Sequence, residues 1–264
     1  MALLEIEGVS KTYNVDSPDG GVEAVRDIDL EIEKGEFLSI VGPTGCGKST
    51  LLEMVAGLIA TTEGEIRLDG TPVTEPRDEI GVVFQDDSTF PWRTTLENVE
   101  FGLEMHGEQK GSRRDRSREI IDLVGLSGFE DAYPNELSGG MRQRVAIART
   151  LVMNPEIMLM DEPFGALDEQ TRLILGEELL RICRETEQTT LFVTHSITEA
   201  VHLSDRVLVM SARPGRIKDL VDVPIERPRD ADVVTTDAFN EIEEQIWSSL
   251  REEAMQGLEQ SIEQ

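Results

Sequence analysis

Residues 42–50 read GPTGCGKST, with an apolar run before them and a helical pattern after them. This is the complete G-x-x-x-x-G-K-[ST] phosphate-loop pattern in a strand, loop and helix setting. The loop consists of Gly42, Pro43, Thr44, Gly45, Cys46, Gly47, Lys48, Ser49 and Thr50. Its glycines admit close approach, and successive backbone N–H groups curl around phosphate oxygens. Lys48 is expected to reach the β- and γ-phosphates, and Ser49 to ligate Mg²⁺. Further along, IMLMDEP ends an apolar run with Asp161 and Glu162 side by side. Neighbours at a strand end point in different directions. Asp161 can then hold Mg²⁺ through water while Glu162 faces the attacking water as general base. His195, in LFVTHS, again closes an apolar run, and that parallel placement predicts a contact to the γ-phosphate. His106 and His202 have no such placement and read as surface or packing residues. Cys46 reads as a small buried residue of the loop, with a redox switch as the sharper alternative.

The elements that must position these groups alternate along the chain. LLEIEGV and IDLEIEKGE alternate apolar and polar residues, as half-buried strands do, with SPDGG between them as a loop. EFLSIVGPTGCGKSTLLEMVAGL is a strand, a glycine loop and a helix with Leu51, Leu52, Val55, Ala56 and Leu58 on its apolar positions. The runs EIMLMDEP, TTLFVTHS and RVLVMSA are short, apolar and separated by helical patterns, as buried parallel strands are. The pattern from Pro91 to Thr150 is helical, which predicts a helical lobe inserted at about residues 88–150. RPGRIKDLVDVPIERPRD reads as a proline-rich connection. It leads to an acidic C-terminal helix in residues 231–264, with Ile242, Ile246, Trp247 and Leu250 at helical spacing and Trp247 as a packing anchor.

The chain has 264 residues, 39% of them apolar, enough for one large domain or a domain with a lobe. No run approaches the roughly 18 to 20 apolar residues of a membrane helix. The N-terminus lacks a secretory layout. Two cysteines make no disulfide framework, so the chain reads as cytosolic. Fifty-three acidic residues against 25 basic give a formal net charge of −28. The acids are scattered and not gathered in a tail, which predicts a solvated surface suited to high intracellular salt, that of a salt-in halophile. The same charge disfavours nucleic acid as a partner.

With the phosphate loop, the acidic pair and the histidine in hand, the chain resembles the ATP-binding cassette ATPases over about residues 3–229. LSGGMRQR, residues 137–144, matches that family's signature loop. The resemblance implies that Ser138, Gly139 and Gly140 begin a helix and offer hydroxyl, backbone donors and a positive helix end to the γ-phosphate of a second subunit's ATP. It likewise implies adenine stacking on Tyr13, Mg²⁺ and γ-phosphate sensing by Gln85, and communication across the dimer by Asp168. The implied fold is α/β: a mainly parallel core of the phosphate-loop NTPase type, an N-terminal antiparallel β subdomain and the inserted helical lobe, together residues 1–230. The implied assembly is a head-to-tail homodimer with ATP at its interface.

Finer likeness narrows the class. DDSTFPWRTTLENVEFGLEM, MDEPFGALDEQTR and VLVMSARPGRI are similar to the ATPases of nitrate, sulfonate and taurine importers. The likeness implies an ATPase subunit at the cytoplasmic face of the membrane, bound to separate permease subunits and indirectly to a solute-binding protein. Trp92 is then expected exposed or half-exposed near the surface that receives the permease. A soluble cassette ATPase acting on DNA or ribosomes is the alternative. Its relatives usually carry long coiled-coil insertions or a second cassette, and neither pattern occurs here.

Overall fold

The computed structural model describes residues 2–14, 21–86, 88–165 and 167–262. Most of the expected SPDGG loop lies outside them. In chain order, strands β1 (Ala2–Tyr13), β2 (Val22–Glu33) and β3 (Phe37–Val41) precede helix α1 (Lys48–Val55). Strands β4 (Glu63–Leu68), β5 (Thr71–Pro72) and β6 (Ile80–Val83) follow. Helices α2 (Thr95–Val99), α3 (Phe101–Met105), α4 (Lys110–Leu123) and α5 (Gly139–Leu151) come next. The chain continues through β7 (Ile157–Asp161), α6 (Glu169–Glu185), β8 (Thr189–Val193) and α7 (Ile197–Leu203). It closes with β9 (Arg206–Met210), β10 (Ile217–Asp222) and α8 (Asp237–Ile262). Two compact units result, one of Met1–Arg77 with Thr189–Gln264 and one of Asp78–Gln188.

The first unit has two strand systems. In β2-β1-β4-β5 the pairs are antiparallel, with Leu4 opposite Ile32 and Ile6 opposite Leu30. Ile28, Leu30 and Ile32 are buried while Asp29, Glu31 and Glu33 between them face outward, the two-residue period of a one-sided strand. In the second system β10, β9, β3 and β8 lie side by side, with β3 parallel to β8 and β9, and β10 antiparallel to β9. Every residue of β3 and β8 is buried, as strands covered on both faces must be. The second unit holds the parallel pair β6 and β7 with helices α2 to α6.

Three expectations need correction. Leu58 lies beyond the end of α1 and is exposed, because the helix stops at Val55 and Gly57 turns the chain with φ +70°. The proline-rich connection contains β10, an edge strand in which Val221 alone is buried, so that its charges hid the pattern. Trp247 is no packing anchor. In α8, Phe239 and Ile246 are fully buried with Ile242 and Leu250 against Val207, Val209, Val221 and Val223, and Trp247 is 58% exposed. Consecutive helical residues are about 100° apart, so Ile246 facing the sheet turns Trp247 off the packed stripe.

Candidate functional site

In the first unit, β3 delivers the chain into the phosphate loop and α1 carries it away. Gly45 and Gly47 have φ of +78° and +104°, conformations that favour glycine. A Cβ at position 47 would also fall 2.7 Å from Val25 Cγ2 and 2.8 Å from the Ala24 carbonyl oxygen, so glycine is required there on two counts. Gly47 is the N-cap of α1 and supplies no side-chain cap, and the first turn has no acidic residue. The N–H groups of that turn are thus left to an external anion. Lys48 is buried and donates from Nζ to the carbonyls of Gly42 at 2.9 Å and Pro43 at 3.2 Å, folded across its own loop. A phosphate chain fits this cradle: glycine clearance, free first-turn donors and a lysine head at its rim.

Tyr13 ends β1 beside the loop, its hydroxyl donating to Thr50 Oγ1 at 3.5 Å, with Lys11 Nζ 5.2 Å from the ring centroid. The parallel register brings the histidine to the same sheet edge as the loop. Ile40 pairs with Val193, so Gly42 and His195 each lie two residues past a matched position, and His195 is exposed. In α/β sheets that carboxyl edge is where ligands bind. Burial pushes the Cys46 thiol up against the pull of Lys48. A buried, high-pKa thiol is inert, which favours the packing reading over the redox one.

In the second unit the same logic operates on β6 and β7. Val83 pairs with Met160, so Gln85 and Glu162 each lie two residues past a matched position, and Asp161 is the last residue of β7. Glu162 adopts φ +44°, the left-handed region, and its carbonyl accepts the Gly165 N–H at 3.0 Å. Such a backbone is uncommon outside glycine and clusters at functional sites.

Ser138 caps α5, accepting the Met141 N–H at 3.3 Å, and its own hydroxyl proton is still available to donate. A Cβ at Gly140 would sit 3.4 Å from Leu175 Cδ1 and 3.6 Å from Thr171 Cγ2, so the signature loop lies on the first turns of α6. Asp168 caps that helix, accepting from Thr171 N at 3.0 Å and Thr171 Oγ1 at 2.7 Å. The two Thr171 hydrogen bonds, the backbone one first, hold its carboxyl below the usual carboxylate range. The structure therefore brings Ser138, Gly139, Gly140 and Asp168 into one neighbourhood, and Tyr13, the phosphate loop and His195 into another.

Among the described residues no cluster of three or more His, Cys, Asp and Glu could hold a metal. The donors singled out in the sequence, the Ser49 hydroxyl, the Gln85 amide and the Asp161 carboxylate, are hard oxygen ligands. They suit Mg²⁺, which keeps several waters and takes phosphate oxygens from its substrate.

Sequence reasoning missed the bed of the phosphate loop. Gly215 donates to the Ala24 carbonyl and its own carbonyl accepts from Arg26, both at 2.9 Å. A Cβ at 215 would fall 2.1 Å from the Cys46 carbonyl oxygen. The only available signal was the Pro214-Gly215 pair after β9, which reads as a turn and not as a contact.

A chain with this loop, these strand-end acids and this signature helix is a nucleotide-hydrolysing cassette, and comparison with known proteins gives its family. The sequence profile of the ABC transporter family matches residues 25–165, and the chain belongs to that family as its ATP-binding, ATP-hydrolysing subunit. An uncharacterised ABC transporter ATP-binding protein of Methanocaldococcus jannaschii is 51% identical over 255 residues, 97% of this chain and 94% of that protein. The aliphatic sulfonates import ATP-binding protein SsuB of Bacillus cereus is 43% identical over 243 residues, 92% of this chain and 94% of its own length. Among solved structures, a dimeric ATP-binding cassette in a post-hydrolysis state with ADP and Pi superposes with a TM-score of 0.72 at 34% identity, covering 84% of this chain and all of the other. The cbiO1 protein of Clostridium perfringens, part of the transporter complex cbiONQ, gives 0.76 at 29%, covering 84% and 89%. The fold is thus that of the ABC ATPases: parallel strands, an antiparallel N-terminal sheet and helices.

Proposed function

We propose that this chain energises an importer for a small solute of the nitrate, sulfonate or taurine kind. The observation that carries this reading is the 43% identity to a sulfonate import ATPase over 92% of the chain. In this account residues 1–230 form the ATPase domain, with a helical lobe at about 88–150, and residues 231–264 an acidic extension. Two copies face head to tail and each ATP lies between one copy's phosphate loop and the other's signature loop. Permease subunits hold the dimer at the cytoplasmic face of the membrane, and a solute-binding protein feeds the permease. Among the described residues no helix is long and apolar enough to cross a membrane, which supports a separate permease. Trp92, 71% exposed beside Phe90, is offered to that permease. The excess of acids fits a cytoplasm of molar salt.

The residues then act as follows. Tyr13 stacks on adenine; the backbone from Gly42 to Thr50 and the Lys48 ammonium neutralise the phosphates. Glu162 accepts a proton from the water that attacks the γ-phosphorus, while the bridging oxygen leaves with ADP. His195 and Gln85 orient the γ-phosphate and that water. Ser138, Gly139 and Gly140 donate to the γ-phosphate of the partner's ATP, and Asp168 carries the state of one site to the other. Ser49, Gln85 and Asp161 would hold Mg²⁺, which would supply charge neutralisation to the phosphates. Disrupting the gene in its host and measuring uptake of a labelled sulfonate tests the transport reading. Loss of uptake, restored by the wild-type gene and not by Glu162→Gln, is expected; unchanged uptake of sulfonate, taurine and nitrate would contradict it.

A further inference from the structure

Glu199 lies in the first turn of α7, is 8% exposed, and bonds to both neighbours of His195. The Thr194 hydroxyl donates to Glu199 Oε2. The same Thr194 oxygen accepts the Ser196 N–H at 3.0 Å, and Ser196 Oγ in turn accepts the Glu199 N–H at 3.3 Å. Thr194 itself is fixed to the sheet, its N–H donating to the Ile40 carbonyl at 3.1 Å, one residue short of the end of β3. The peptide Thr194–His195–Ser196 is thereby closed into a clip: the Glu199 carboxylate holds the Thr194 hydroxyl, and the Glu199 backbone N–H, present whatever the side chain, holds Ser196. His195 alone of the three is exposed. Burying a carboxylate is costly unless it is hydrogen-bonded, and an apolar residue would fill the same space without that penalty. Glu199 Oε2 has such a partner in the Thr194 hydroxyl.

We propose that the Glu199 carboxylate is a positioning group for hydrolysis, acting through the Thr194 hydroxyl, which itself accepts the Ser196 N–H, to fix the backbone that aims His195. This rests on the reading of His195 as a group that touches the γ-phosphate. A misplacement of about 1 Å at the reacting groups can cost roughly a hundredfold in rate.

The test is a mutant cycle on the full-length chain, reading kcat, KM for ATP, thermal midpoint and fluorescent-nucleotide affinity. Glu199→Ala is expected to lower kcat about a hundredfold with KM changed less than about threefold, and Glu199→Gln, which keeps an acceptor oxygen, to recover most of the loss. In a His195→Ala background, Glu199→Ala is expected to cause no further loss, because both act at one point. Independent, multiplying losses would overturn the proposal while leaving His195 catalytic; a His195→Ala variant with native kcat would overturn the reading of His195 itself. Should Glu199→Ala fail to fold, Thr194 decides. Thr194→Val is expected to lose activity as Glu199→Ala does and Thr194→Ser to retain it, and equal activity of the two would overturn the clip.

Discussion

Gly47 shows how narrowly the phosphate loop is constrained at the level of one residue. Its φ of +104° and the 2.8 Å approach to the Ala24 oxygen forbid a side chain. Gly47→Ala is therefore expected to destabilise the chain by about 1–3 kcal/mol and to abolish nucleotide binding, read by thermal melting and a fluorescent ATP analogue. Ser138→Arg is different in kind. Placed in the signature loop, it is expected to leave nucleotide affinity of the monomer near native and to stop turnover, and a large fall in monomer affinity would show the loop serving its own subunit. A pH-dependent contact lies away from both. The His106 Nδ1–H donates to the Gly102 carbonyl oxygen at 2.9 Å, and its Nε2 faces Asp78 Oδ2 at 2.9 Å. The Gly102 hydrogen bond first, then Asp78, raise its pKa above the ordinary 6.5. Because the folded value is the higher one, this contact stabilises fully below about pH 6.5 and fades as pH rises through the folded pKa. Proton NMR titration is expected to show a raised His106 value that falls in Asp78→Asn.

At the scale of elements, α8 gives the clearest test of packing. Ile246→Ala empties a fully buried position and is expected to destabilise by about 2–5 kcal/mol, whereas Trp247→Ala on the exposed flank is expected within about 0.5 kcal/mol, both by chemical denaturation. The sequence spacing of Ile242, Ile246 and Leu250 made the helix and its packed face legible. It could not place Trp247, because an aromatic beside the stripe carries the same hydropathy whether it turns in or out. The apolar runs of β3, β7 and β8 were legible for a physical reason: two-sided burial selects apolar residues and admits only small polar ones such as Ser39, Thr189 and Thr190. β10, with Lys218, Asp219 and Asp222 in six residues, was not, since an edge strand meets solvent. The site residues were readable where chemistry dictates type and spacing, as in GPTGCGKST. Glu199 was not, being one acid among 53 with no spacing to mark its burial.

For the whole molecule, charge and assembly set the behaviour. A net charge of −28 repels itself over a Debye length of about 10 Å at 0.1 M salt and about 3 Å at 1 M. The melting temperature is expected to rise with KCl across that range, and a flat profile would contradict the salt-adapted reading of the surface. Assembly bears on the central claim, that two copies share each ATP and that the second glycine loop serves the partner's nucleotide. The most direct measurement is ATPase rate per subunit against protein concentration at saturating MgATP, with the same samples sized by sedimentation. A rate per subunit that climbs with concentration in step with the dimer fraction and levels off when dimer is complete is expected. A rate per subunit that stays constant while sedimentation shows only monomer would contradict it.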